Sequence, residues 1–108
     1  MQGVDTEKVP GGKLLRVKVE FNPEGSVIED VEMNGDFFIH PEEFVEDIEQ
    51  ILVNLDQKDS EQSIAAALQR LIEDEGAELV GITPESIART FRTALTNAMT
   101  AKQAEQIS

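Results

Sequence analysis

The sequence has no cysteine, tryptophan or tyrosine, and His40 is its one histidine among 108 residues. Without cysteine the chain forms no disulfide, thiolate metal site or cysteine nucleophile, and a single histidine excludes a multi-histidine metal site. Bases are also scarce, since nine Lys and Arg residues stand against 22 Asp and Glu, for a formal net charge of −13. That balance argues against nucleic acid as a partner, because binding a phosphate backbone depends on cations.

Long apolar runs are missing too. No stretch approaches the roughly 18–20 apolar residues that span a bilayer, and the N-terminus lacks the basic-then-apolar layout of a secretion signal. We therefore expect a soluble, cytoplasmic protein. The length predicts one domain, which we place at residues 13–102, after a flexible arm over residues 1–12 and before a frayed C-terminus over residues 103–108.

The negative charge is concentrated in the middle of the chain. Residues 21–80 contain 17 acids and two bases, whereas residues 1–20 and 81–108 each have a net charge of +1. A solvated acidic face that keeps the protein soluble is the simplest explanation. Adaptation to high internal salt and a docking face for a basic partner are two alternatives that the sequence leaves open.

Two runs alternate apolar and polar residues, as strands with one buried face do. Their inward positions are Leu15, Val17, Val19 and Phe21 in the first run, and Val27, Glu29, Val31 and Met33 in the second. Residues 22–25 contain the Pro and Gly of a tight turn, so the two strands form an antiparallel hairpin. Residues 37–39 can form a short third strand or a buried connector.

Helical spacing replaces alternation after Pro41, which suits the first turn of a helix. A second helix is capped by Ser60 and ends at Gly76, and residues 79–82 form a short apolar connector. A third helix starts at residues 83–85. Its expected buried face consists of Ile87, Phe91, Leu95 and Met99. Strands followed by helices predict an α+β fold, in which three helices pack on one face of a small antiparallel sheet of two or three strands.

Few residues qualify for chemistry. His40, at the entrance of the first helix, fits a structural or solvent-facing role better than a role in a site. The dense acids of residues 42–49 are spread around a helical cylinder, so they form an acidic face instead of a calcium loop. Gly11 and Gly12 leave backbone amides open to a ligand, and Lys13 adds a mobile positive charge. Alone, this segment is more typical of a flexible lead-in to a strand than of a ligand site.

A second segment, residues 35–38, is notable for combining a turn with aromatic residues. Gly35 can adopt a left-handed conformation and Asp36 can bind local backbone amides. Phe37 and Phe38 supply apolar area for the core. On physical grounds the segment is a turn with a core anchor.

Together these segments resemble the small C-terminal accessory domain of lipoate–protein ligases. The resemblance is found in Lys8-Val9-Pro10-Gly11-Gly12-Lys13-Leu14-Leu15-Arg16-Val17, in Val31-Glu32-Met33-Asn34-Gly35-Asp36-Phe37-Phe38 and in Pro41-Glu42. It extends more loosely to residues 81–85. The resemblance implies a fold similar to iron–sulfur scaffold and sulfur-acceptor proteins, although those proteins work through cysteines that this chain lacks.

The resemblance also implies a function. In this family a large catalytic domain binds lipoate, ATP and Mg²⁺, and the small domain is required for the first half-reaction, which forms lipoyl-AMP. The small domain is not catalytic in isolation and binds no cofactor alone. A chain of 108 residues with Met1 looks like a family member in which the small domain is a separate subunit, although an excised domain fits equally well.

The resemblance therefore makes the catalytic polypeptide the expected partner, with a lipoyl acceptor domain as an indirect one. We expect Lys13, with the amides of Gly11 and Gly12, to face the partner's active site. The other expected partner-facing residues are Arg16, Gly35, Asp36, Phe37 and Phe38, with Lys18 as a further interface cation. The competing hypothesis is an acidic interaction or regulatory module with no ligase role.

Overall fold

The structure is a computed structural model that describes the backbone of residues 1–9, 11 and 13–107 and the side chains of residues 1–9, 11 and 13–100. Within these described residues, five strands and three helices follow one another. They are β1 (Gln2–Val9), β2 (Lys13–Asn22), β3 (Val27–Gly35), β4 (Phe38–His40), α1 (Phe44–Val53), α2 (Glu61–Glu75), β5 (Glu78–Val80) and α3 (Pro84–Ile107). This order confirms the predicted α+β fold.

The main sheet is antiparallel, with β2 between β1 and β3. Helix α3 packs on β1 and β2, α1 packs on β3, and α2 packs on α3. The inward side chains of β2 are almost fully buried, and they meet a helical face that contains Phe91, which is also fully buried. Each large apolar side chain buried in this way stabilises the fold by about 1.5–3 kcal/mol.

Strand β1 differs from the flexible arm expected for residues 1–12. Residues 2–9 pair with β2 along their whole length, from Gln2 opposite Glu20 to Val9 opposite Lys13. Helix α3 adds contacts from above, where the Arg89 Nε donates to Glu7 Oε1 at 2.7 Å and the Asn97 Nδ2 donates to the Val4 carbonyl at 3.0 Å. Pairing and these polar contacts stabilise a strand whose sequence carries little hydrophobic periodicity.

A β-bulge between β2 and β3 changes which residues of β3 face the core. Glu20 lies opposite Asp30, but Phe21 lies opposite Ile28, so Glu29 is an extra residue in β3. Such an insertion shifts the alternation by one position. Ile28 is therefore buried, whereas Val27 is 49% exposed, and the expected inward positions of Val27 and Glu29 are wrong.

The third strand and the apolar connector form a second sheet together. β4 pairs antiparallel with β5, with Phe38 opposite Val80 and His40 opposite Glu78. The short third strand at residues 37–39 is thus confirmed to within one residue, but residues 78–80 are a strand instead of a connector. In this two-stranded sheet Ile39 faces the core and is 7% exposed.

Local signals at the helix ends are confirmed. The Ser60 side chain accepts from the Ser63 N–H, and Gly76 ends α2 with φ +64°. At the start of α3, Thr83 Oγ1 accepts from the Ser86 N–H while Ser86 Oγ accepts from the Thr83 N–H. These reciprocal bonds satisfy two N–H groups that a helix start leaves unpaired.

Two helical expectations need correction. α1 begins at Phe44, after a turn over residues 41–43, and it ends at Val53. Met99 is 39% exposed while Ala98 is buried, because a helix has 3.6 residues per turn and a strict four-residue interval drifts off its buried face. The expected domain limits of 13–102 and the fraying expected at residues 103–108 stay predictions.

Candidate functional site

Lys13 lies at the end of the molecule where the β1–β2 turn meets the loop after β5. It opens β2, and its half-buried side chain passes over the backbone of Gly81. A Cβ atom on residue 81 would lie 2.7 Å from Lys13 Cγ and 3.3 Å from Lys13 Cβ. Lys13 makes no ion pair with any other described residue. The amine is therefore held by its aliphatic stem and keeps its charge available for an anion.

Gly11 lies in the turn before Lys13. It is exposed, its φ is +105°, and a side chain there would meet no atom within 4 Å. The backbone of Gly11 itself is thus open to solvent. Gly12, the other glycine expected to offer an amide, lies outside the described residues.

Arg16 and Lys18 lie on the other face of β2. Arg16 is opposite Thr6 and Asn34, and Lys18 is opposite Val4 and Glu32, all on the face of the sheet away from the helices. Lys13 has the same parity as Leu15, whose side chain points to the core. Because successive side chains of a strand alternate between its faces, these cations do not form one constellation with Lys13.

Gly35 and Asp36 connect the end of β3 to the start of β2. Gly35 has φ +149°, and a Cβ atom there would collide with the Leu14 carbonyl oxygen. The Asp36 N–H donates to that same oxygen at 3.0 Å. Only a residue without a side chain allows the two backbones to approach so closely, so this pair brings the residues after β3 next to the segment that contains Lys13.

The two phenylalanines that follow have different environments. Phe37 is half-buried against the core, whereas Phe38 is 70% exposed. The expectation that both rings supply core area is wrong for Phe38, because β4 alternates and places Ile39 inward instead. An aromatic side chain this exposed adds little apolar area to the core.

A groove of about 560 Å³ lies next to Phe38. Its lining comes from the end of β3, from β4, from the start of α1 and from β5. The lining residues Val45, Glu78 and Val80 are not among the site residues expected from the sequence. His40 and Glu42 also line the groove, although the sequence favours structural roles for them. Residues 37–39 and 79–80 were visible as short apolar runs, which is the signal that could have indicated a second paired sheet.

Three carboxylates near the sheet have altered acidity. Glu49 on α1 accepts from the Met33 N–H at 2.8 Å, and burial together with repulsion from Glu32, Asp30 and Glu46 raises its pKa above the ordinary value. At the contact of β1 with α3, burial raises the pKa of Asp5. Burial also opposes ionisation of Glu7, but hydrogen bonds led by the one from Arg89 hold the pKa of Glu7 below its ordinary value.

Metal-binding clusters and membrane-spanning helices are both absent from the described part of the chain. Over those residues no group of three or more His, Asp or Glu side chains is placed to hold a metal ion. No helix in that part is both long enough and apolar enough to cross a bilayer.

Comparison with known proteins identifies the class. Residues 4–91 match the family described as the bacterial lipoate protein ligase C-terminus, and the chain belongs to that family. A comparison with curated proteins found no match.

One solved structure shares the fold, with a TM-score of 0.66 and 22% sequence identity over 85% of this chain and 96% of that chain. It comes from a structural analysis of an archaeal lipoylation system, a bipartite lipoate protein ligase and its E2 lipoyl domain from Thermoplasma acidophilum.

Proposed function

We propose that this chain is the accessory component that the catalytic part of a lipoate–protein ligase requires to activate lipoate with ATP. The observation that carries the proposal is the family match over residues 4–91, which includes Lys13, Gly35 and Phe38. The similar Thermoplasma acidophilum chain belongs to a lipoylation system whose ligase is bipartite. By analogy, this chain pairs with a catalytic polypeptide in the cytoplasm and has no ligase activity alone.

Activation brings anions together. A carboxylate oxygen of lipoate attacks the α-phosphorus of ATP and forms the bond of the mixed anhydride, lipoyl-AMP. The bond from that phosphorus to the bridging oxygen breaks, and pyrophosphate leaves with the electron pair. Cations and oriented amides stabilise such a crowded transition state.

In this proposal the catalytic partner binds ATP, Mg²⁺ and lipoate, and Lys13 contributes positive charge from this chain. Its support is local: the amine has no anionic partner among the described residues, its stem rests on Gly81, and Gly11, two residues before it, is exposed. The amides of Gly11 and Gly12 add donors for phosphate oxygens. Arg16 and Lys18 would then contact the partner at places away from the nucleotide.

The two half-reactions should depend unequally on this chain. Transfer of the lipoyl group from lipoyl-AMP to a lysine of an acceptor domain releases AMP and no longer separates pyrophosphate from the α-phosphate. The cationic assistance proposed for Lys13 then matters less. An acceptor domain is accordingly an indirect partner.

The direct test is lipoyl-AMP formation from lipoate and ATP by a catalytic ligase polypeptide that lacks its own small domain, with and without this protein. The proposal predicts that adenylate forms rapidly only in the mixture, and that preformed lipoyl-AMP is transferred to an acceptor domain in both samples. Equal adenylate formation without this protein would contradict the proposal. In that case the acidic interaction module becomes the better hypothesis.

A further inference from the structure

The outer face of the β4–β5 sheet combines an apolar half with an acidic half. Directly opposed residues on paired strands point the same way, so Phe38 lies beside Val80 and His40 lies beside Glu78 on this face. Phe38 is 70% and Val80 49% exposed. We call this face, with the adjoining groove and Glu42, the β4–β5 surface.

The backbone of this small sheet also has free hydrogen-bonding edges. In the described residues, the amides and carbonyls of β4 and β5 bond only to one another. Each strand therefore keeps one unpaired edge. Unpaired edges beside exposed apolar side chains accept extended segments of other chains, with main-chain bonds giving affinity and side-chain pockets giving specificity.

The charge of the surface limits what can occupy it. Glu42 and Glu78 line the groove together with His40, and no Lys or Arg lines it. An anionic ligand such as free lipoate would be repelled, even though an apolar chain could cover Phe38. A segment with an apolar side chain followed by Lys or Arg satisfies both halves of the surface.

We propose that the β4–β5 surface binds an extended apolar-then-basic segment of the catalytic polypeptide, and so docks the two parts of the ligase. This inference rests on the proposed function for the identity of the partner. The surface is continuous with the Lys13 site, because Val80 is followed directly by Gly81, over which the Lys13 stem passes. Docking here brings Lys13 to the partner.

Binding to the catalytic polypeptide, measured by isothermal titration calorimetry with the full chain, tests the apolar half. Phe38→Ser and Val80→Ser should each weaken the complex by at least about tenfold, as truncation of a central apolar anchor does. Val27→Ser is the matched control, because Val27 is as exposed as Val80 but lies in the β2–β3 turn region at the other end of β3. Thermal unfolding of each variant separates lost binding from lost folding.

The acidic half has its own pair of variants. Glu78→Lys should weaken the complex severalfold, and Glu24→Lys, the same charge change in the exposed β2–β3 turn, should not. Because the contact is ionic at its basic end, the difference between these two variants should shrink at high salt. At protein concentrations that saturate the weakened complex, adenylate formation with Phe38→Ser should reach the wild-type rate.

The outcomes distinguish the docking surface from the proposed function. If Phe38→Ser, Val80→Ser and Glu78→Lys all bind the catalytic polypeptide as tightly as wild type and stimulate adenylation normally, the docking surface is overturned. The proposed function is then unaffected. Weakened binding by those variants without any stimulation by the wild type supports the surface and overturns the function. Binding of free lipoate to this chain alone, or a self-association that Phe38→Ser abolishes, assigns the surface to another occupant and overturns the inference.

Discussion

The stem of Lys13 crosses the backbone of Gly81 so closely that a methyl group on residue 81 would lie 2.7 Å from Lys13 Cγ. Gly81 has φ +93°, a conformation that side-chain-bearing residues rarely adopt. These two residues, 68 positions apart, join the start of β2 to the loop between β5 and α3. The position of the proposed phosphate-binding amine thus depends on a glycine far away in sequence.

Gly81→Ala should therefore disturb both stability and function. Strained φ and the clash together should lower the free energy of unfolding by about 1–3 kcal/mol, and displacement of Lys13 should slow adenylate formation. Gly76→Ala is the control, because Gly76 also has a positive φ but no atom within 4 Å of an added Cβ. It should cost about 1–2 kcal/mol and leave adenylation unchanged. Equal effects of the two variants on adenylation would contradict the role of the Lys13–Gly81 contact.

Glu49→Gln should stabilise the protein at neutral pH. The folded-state pKa of Glu49 is raised, so its ionised form opposes folding, and that penalty disappears as pH falls through the folded pKa. Glutamine keeps an oxygen that accepts from the Met33 N–H and carries no charge. Urea unfolding should show the variant to be more stable than wild type at pH 7, with the difference vanishing near and below the ordinary glutamate range. A constant difference across that range would disprove the assignment.

The carboxylate of Glu7 should have the opposite pH dependence. Its folded-state pKa is lowered, so its stabilising contact with Arg89 is present above the ordinary glutamate range and is lost as pH falls through the folded pKa. Arg89→Met should remove about 1 kcal/mol or less at pH 7, because the Arg89 side chain is 45% exposed and solvent screens the pair. Unfolding curves of Arg89→Met and wild type should converge in acid, and a gap that persists there would point to lost packing instead.

Strand β1 should be protected from exchange with solvent. The amides that β1 donates to β2 should exchange as slowly as those that β3 donates to β2. The reason is that β1 and β3 each pair with β2 over their length. Hydrogen exchange followed by mass spectrometry or NMR measures this directly. Fast exchange over residues 2–9, at the rate of a free peptide, would contradict this pairing and support the flexible arm predicted from the sequence.

Structural features that depend on neighbouring residues could be predicted from the sequence, and features that depend on a distant strand could not. Ser60 and Gly76 cap α2 through bonds within a few residues, so the residue types alone predicted its ends. β1 was missed because its inward positions include Gly3, Asp5 and Glu7, which carry no apolar period. The bulge at Glu29 exists only relative to the partner strand, so no pattern within β3 could reveal it.

The candidate site divides in the same way. The parity of positions 13, 16 and 18 on one strand could have separated Lys13 from Arg16 and Lys18, since alternation depends only on the sequence. The exposure of Phe38 could not be predicted, because it follows from the pairing of β4 with β5 across about 40 residues of chain. The Lys13–Gly81 contact is equally non-local.

The charge of Lys13 is proposed to assist formation of lipoyl-AMP on the catalytic partner. Lys13→Met isolates that charge, because methionine keeps an unbranched side chain over Gly81 and has no amine. With the complex saturated, this variant should bind the partner as wild type does but form lipoyl-AMP about 10²-fold more slowly, while Lys18→Met on the opposite face should retain the wild-type rate. Adenylate formation by Lys13→Met at the wild-type rate would contradict this role of Lys13.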